Sequence, residues 1–192
     1  GVRRWRRPLT LGVLAVLTLW ITGCTLGLPK GCSAYVLDVD IVQERLDAAT
    51  PPLDGSHAII QSFVCQRPNL SEIELLPAVY QMPGQGMLTL RLRSPAQDYN
   101  ELARQSVDVA HISHNVPLRF TFAPQSDSGG KAYDLLLEGT PGVGTGVWYN
   151  SVNAYGDGEM ELDGHSTGDL RFITRCRYDL PVMTRKVERA LL

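Results

Sequence analysis

From His57 to Tyr178 apolar residues recur at every second position, and that period limits what the chain can build. Leu88, Leu90 and Leu92 alternate with Thr89, Arg91 and Arg93; Leu118, Phe120 and Phe122 alternate with Arg119 and Thr121. Tyr133, Leu135 and Leu137 repeat the pattern, as do Leu170 and Phe172 around Arg171. In a strand, successive side chains point to opposite faces, so each segment buries one face and wets the other. Segments 57–65, 71–80, 87–93, 107–112, 118–123, 132–138, 146–152, 159–163 and 169–178 read as strands, separated by turn clusters such as Asp127-Ser128-Gly129-Gly130 and Gly156-Asp157-Gly158. Eight or nine short strands at this spacing predict an all-β protein: an antiparallel β-sandwich of the jelly-roll type over 57–180. Asp98–Gln105 reads as a short helical or irregular connection.

A second pattern precedes this one. Leu9 to Leu28 is a run of twenty residues without charge, and twenty helical residues rise about 30 Å, the thickness of a bilayer core. Arg3, Arg4, Arg6 and Arg7 stand before it, and Lys30 alone follows closely. That asymmetry predicts a single transmembrane helix within 1–32, with a cytoplasmic N-terminus and everything after Pro29 outside. The expected location is therefore the bacterial cell membrane, single-pass, with an extracytoplasmic sandwich. The alternative is a lipoprotein signal to residue 23: Ile21-Thr22-Gly23-Cys24 resembles a lipobox, in which Cys24 would be lipidated. The apolar run continues through Leu26 and Leu28, which favours a retained anchor. Segment 33–56 reads as a connector whose Val39, Val42 and Leu46 suit a short amphipathic helix or a strand. Residues 181–192 read as a helical tail, juxtamembrane or partner-contacting.

Charge and cysteines narrow the function classes. All 20 acidic residues follow Ser33, against 13 of the 18 basic ones, a net of −7 for this part. Nucleic-acid binding needs clustered Lys and Arg, so that partner is excluded. The cysteines are Cys24, Cys32, Cys65 and Cys176. None forms the close pair of a zinc ribbon, thioredoxin motif or c-type haem. Cys65 and Cys176 share the parity of core residues on the first and last strands, which are expected to be neighbours. Outside the cytoplasm they are expected to form a structural disulfide, worth roughly 3–5 kcal/mol in the chain-entropy view.

Chemistry-bearing constellations are sparse. His111-Ile-Ser-His114 lacks a third metal ligand, and residues three apart on a strand face opposite ways. Gly142-Val-Gly144-Thr-Gly146 lacks the Lys-Ser/Thr ending of a phosphate loop and opens a strand. No nucleophile–base pairing stands out, so no catalytic residue, resident cofactor or enzymatic role is expected. Asp157, Glu159, Glu161 and Asp163 alternate along one strand and are weak candidates for a structural Ca²⁺, which needs six to eight oxygens. Trp148, Tyr149 and Tyr155 lie beside glycine-rich loops and are candidates for stacking on a sugar ring.

Gln61-Ser-Phe63, Leu70-Ser-Glu-Ile-Glu-Leu75, Gly86-Met-Leu-Thr-Leu-Arg-Leu92, Phe120-Thr-Phe-Ala-Pro124, Gly130-Lys-Ala-Tyr133, Leu137-Glu-Gly139, Val147-Trp-Tyr149 and Gly168-Asp-Leu-Arg-Phe172 together resemble the jelly-roll, galactose-binding-like domain that bacterial multi-span membrane proteins carry outside the membrane. The resemblance implies a sandwich fold and brings no catalytic residue. The expected function is a non-enzymatic, membrane-anchored accessory subunit packed on the bilayer and on other subunits of a larger membrane complex. The alternative is a cell-surface carbohydrate-binding module with a glycan partner.

Overall fold

The computed structural model describes residues 35–81 and 84–179. The anchor stretch, Cys24, Cys32 and the 181–192 tail lie outside these residues. Among the described residues no helix is long and apolar enough to cross a membrane.

The described residues form strands β1 (Tyr35–Gln43), β2 (Ala48–Ala49), β3 (Ala58–Cys65), β4 (Leu70–Leu75), β5 (Pro77–Val79), β6 (Met87–Ser94), β7 (Asn100–Asp108), β8 (Leu118–Gln125), β9 (Lys131–Gly139), β10 (Thr145–Asn150), β11 (Met160–Leu162), β12 (His165–Ser166), β13 (Asp169–Leu170) and β14 (Phe172–Asp179). One sheet runs β1-β14-β4-β8 and a second runs β12-β11-β3-β9-β6-β7. A short third sheet runs β13-β10-β2, with β5 also paired to β10. Every pairing is antiparallel. The described residues form an all-β, antiparallel, sandwich-like fold.

The alternation seen in the sequence builds the interior. Leu88, Leu90, Leu92, Leu135 and Leu137 from one sheet and Ile73, Leu75, Phe120 and Phe172 from the other are fully buried. Phe63 on β3 joins the layers, its ring 5.8 Å from Tyr133 and 5.9 Å from Phe172. Burying each such side chain contributes about 1.5–3 kcal/mol. A buried carboxylate pins the long 151–158 loop to this core: Asp169 accepts from the amides of Ala154 and Tyr155 and from Gln61 Nε2. The loop presses so closely on β3 that a Cβ at Gly158 would meet Ser62 O at 1.9 Å.

Several boundaries differ from expectation. The stretch 33–56, expected to connect, supplies β1 and β2, which pair with β14 and β10. Asp98–Gln105 was expected to be a short helical or irregular connection, but β7 occupies most of it and keeps register with β6 from Met87↔Asp108 to Ser94↔Asn100, with one shift. Its mostly polar sequence hides a strand held by its ladder to β6 and by half-buried Leu102, Ala103 and Val107 against the core. Val109–His111 forms a 3₁₀ turn instead of continuing a strand. The expected single strand 71–80 divides at Leu76, because β4 follows β14 while β5 turns to β10.

Candidate functional site

The outer face of the six-stranded sheet carries a cleft of about 530 Å³. Its floor follows from register. Arg93 on β6 pairs with Asp134 on β9, which pairs with Ser62 on β3, so three polar side chains cross the sheet in one row. Glu159 and Glu161 close one side, and Pro95 and Tyr99 close the other. Tyr99 is 57% exposed. It follows Asp98, and both backbones are left-handed, with φ of 56° and 52°. For non-glycine residues that conformation is uncommon and costs energy. It sets the Tyr99 ring over the Arg93 guanidinium, 5.8 Å from its carbon, within reach of a cation–π contact.

The electrostatics of the cleft are unbalanced. Three carboxylates, Asp134, Glu159 and Glu161, face one guanidinium. Asp134 is 7% exposed. Burial pushes its carboxyl above the ordinary range, Arg93 pulls it back, and the charge of Glu161 pushes it up again. Arg93 Nε is buried without a hydrogen-bond partner. Glu159 accepts from Ser166 Oγ at 2.6 Å. An aromatic ring beside clustered acceptors and a guanidinium is the chemistry that holds a polyhydroxylated ring, with one face stacked and the hydroxyls hydrogen-bonded.

A second constellation lies in the interior. β1 contains a bulge between Val39 and Val42. Such an irregularity re-aims a side chain, and the Asp40 side chain here is fully buried. Its Oδ2 accepts from Gln66 N at 3.0 Å and from Cys65 Sγ at 3.1 Å. Asp40 Oδ1 has no hydrogen-bond partner; Arg67 Nε stands 3.8 Å away. Cys65 and Cys176 are buried free thiols. One ligand atom from each of Asp40, Cys65 and Cys176 lies within 4.8 Å of the others. The thiols were expected on neighbouring strands. Instead they come from opposite sheets, β3 and β14, and meet across the sandwich. The pair titrates as a unit. The hydrogen bond from Cys176 lowers Cys65, while that contact and burial push Cys176 up.

The other expected site residues are dispersed. Asp157 is exposed. Asp163 closes a hairpin, binding His57 Nδ1 at 2.6 Å and Ala58 N at 2.9 Å. Hydrogen bonds from His57 and then Ala58 hold its carboxyl below the usual range. Only Glu159 and Glu161 of that set share the cleft. Trp148 donates to Asn115 Oδ1 at 2.7 Å. Tyr149, the next residue along β10, packs against the core. Tyr155 sits edge-on to Phe172 at 5.5 Å, and its hydroxyl donates to Val64 O. The three rings therefore serve three separate places. His114 Nδ1 accepts from Val79 N. Among the described residues, Asp40, Cys65 and Cys176 are the one convergent set of three metal-ligating side chains. The sequence reading missed Asp40, Arg93, Tyr99 and Asp134. Asp134 was visible as a charge between Tyr133 and Leu135; the others carried no separate signal.

No family model matches this chain. No curated protein matches it either. Among solved structures it is similar to the Yersinia pseudotuberculosis-derived mitogen, at 9% identity and a TM-score of 0.30, covering 66% of this chain and 94% of that one. A likeness of that size transfers nothing to this chain.

Proposed function

We propose that this chain is a non-catalytic, extracytoplasmic binding module, tethered to a bacterial membrane, whose outer cleft takes a sugar. The observation that carries the reading is the Arg93-Asp134-Ser62 row walled by Tyr99, Glu159 and Glu161. The cleft offers one exposed ring, three carboxylate acceptors and a guanidinium donor. A jelly-roll reading of the sandwich accords with this, since such domains commonly bind saccharides. The tether rests on the charge-free Leu9–Leu28 run and the arginines before it.

The test is a glycan-binding screen of the full chain in mild detergent, followed by calorimetry on the hits. Binding that Tyr99→Ala weakens about tenfold or more, a loss of about 1.4 kcal/mol, supports the reading. Hits that survive both Tyr99→Ala and Asp134→Asn place the sugar elsewhere and overturn it.

One observation favours a second reading, an accessory subunit of a membrane complex. β1 is an edge strand, and Val36, Val39 and Val42 on it are 38%, 40% and 55% exposed. An apolar edge of this kind invites pairing or packing by another chain. Stoichiometric co-purification after gentle extraction, lost on Val39→Lys, supports it; recovery of the chain by itself rejects it.

A further inference from the structure

We infer that Asp40, Cys65 and Cys176 form a binding site for one divalent, borderline-soft metal ion of the zinc class. The donor set is two thiols and a carboxylate, the ligand chemistry that selects zinc over magnesium or calcium. The three donor atoms already converge to within 4.8 Å of one another. Each comes from a different strand, β1, β3 or β14, so the fold rather than a local motif assembles them.

Three further features support the site. The bulge in β1 turns Asp40 inward, and its Oδ1 is buried without a hydrogen bond, with Arg67 Nε 3.8 Å away, so it keeps lone pairs that an ion could take up. Gln66 N holds the other oxygen at 3.0 Å, which fixes the carboxylate plane. The carbonyl of Arg67 faces both sulfurs, accepting from Cys65 Sγ at 3.1 Å and Cys176 Sγ at 3.7 Å, and is itself steadied by Ser128 Oγ at 2.8 Å. That carbonyl, or a water, supplies the fourth position of a tetrahedron. Uptake of the ion displaces one proton from each thiol to water. Two thiolates, one carboxylate and a divalent cation leave one negative charge, which the Arg67 guanidinium beside Asp40 offsets. Bridging both sheets and the edge strand, the ion would act as a structural clamp.

The test is metal analysis of the full chain, purified without chelator under reducing conditions from cells grown in zinc and, separately, in cobalt. One metal per chain is expected. The cobalt form should show the visible bands of a tetrahedral site and a sulfur-to-cobalt charge-transfer band. Cys176→Ser should abolish that charge-transfer signature or halve it, and Asp40→Asn should weaken affinity on the order of 10- to 100-fold, at least what loss of an outer-shell partner costs. Should the variants fail to fold, the metal content and cobalt spectrum of the unaltered chain decide alone. A metal-free chain overturns the proposal, whether peptide mapping finds Cys65 and Cys176 as thiols or as a disulfide. Unchanged affinity in Asp40→Asn overturns the role of the carboxylate.

Discussion

Two clusters, one on each outer face of the sandwich, carry charge in opposite ways. On the β14-β4-β8 face, Glu72 and Glu74 are almost fully covered, and arginines surround them. Arg175 reaches Glu72 at 2.7 Å and Glu74 at 2.8 Å, Arg171 reaches Glu74 at 2.9 Å, and Arg119 reaches it at 3.1 Å. In the cleft on the six-stranded face, Asp134, Glu159 and Glu161 share a single guanidinium whose Nε is buried without a hydrogen bond, while Arg91 and Arg104 elsewhere on that face pair with Glu101 and Glu138. The same period-two pattern built both faces. The arginine–glutamate cluster has closed its hydrogen bonds on itself, and the cleft leaves some unmade. A buried charge with all its partners is structural; a buried charge short of partners is stable only at a cost, and binding sites accept such costs.

The largest effect that would break this contrast is on the closed face. Arg175→Met should cost roughly 3–5 kcal/mol in denaturant unfolding, because it strips two buried carboxylates of their shared partner. A loss under about 1 kcal/mol, the scale of an exposed pair, would show that this network is a surface feature.

Acid comes next. Burial pushes Glu74 up, but hydrogen bonds from Arg171, Arg175 and Arg119 together bring it below its ordinary 4.5. A carboxylate lowered in the folded state contributes stability that is present above 4.5 and lost as the pH falls through its folded value. The Tm should drop steeply there, and Glu74→Gln should flatten that slope even though its baseline is lower.

The open face predicts the reverse sign. Asp134 is raised by burial, so its ionisation costs stability as the pH climbs from 3.8 through the folded value, with the full cost above it. Asp134→Asn should therefore raise the Tm by a few degrees at neutral pH and give no gain below 3.8. A neutral-pH loss instead would mean that Arg93 depends on Asp134 and that this face is closed too. Smallest is Tyr99→Ala: unfolding should change by no more than about 0.5 kcal/mol, as for an exposed side chain, while sugar affinity falls.

Much of the architecture was legible because alternation of Leu88-Leu90-Leu92 or Leu118-Phe120-Phe122 reports directly which face is buried. The same rule fails where register is broken. Asp40 reads as one charge in an amphipathic stretch, and only the bulge after Val39 turns it inward. β7 gave little signal before Val107 because most of its residues are polar and its pairing with β6 does most to make it a strand. The cleft was half legible: Glu159 and Glu161 were marked as acidic neighbours, but Arg93, Asp134 and Ser62 become a row only when three strands are placed side by side. Trp148, Tyr149 and Tyr155 drew attention as aromatics near glycines, yet Tyr155 and Tyr149 are used by the core, and aromatic residues are claimed by packing before they are available to a sugar.

One pairing has a mechanical meaning. Tyr35 lies opposite Asp179, so the first and last described strands meet end to end, and the chain enters and leaves the sandwich at one point. Tension drawn across those two ends would not shear the β1–β14 ladder; it would unzip it, one residue pair at a time. The fourth pair in that sequence is Asp38 with Cys176, and the bulge that carries Asp40 follows directly. A pulled molecule would therefore uncover its buried sulfurs early, while Phe63 and Phe172 still held the two layers together.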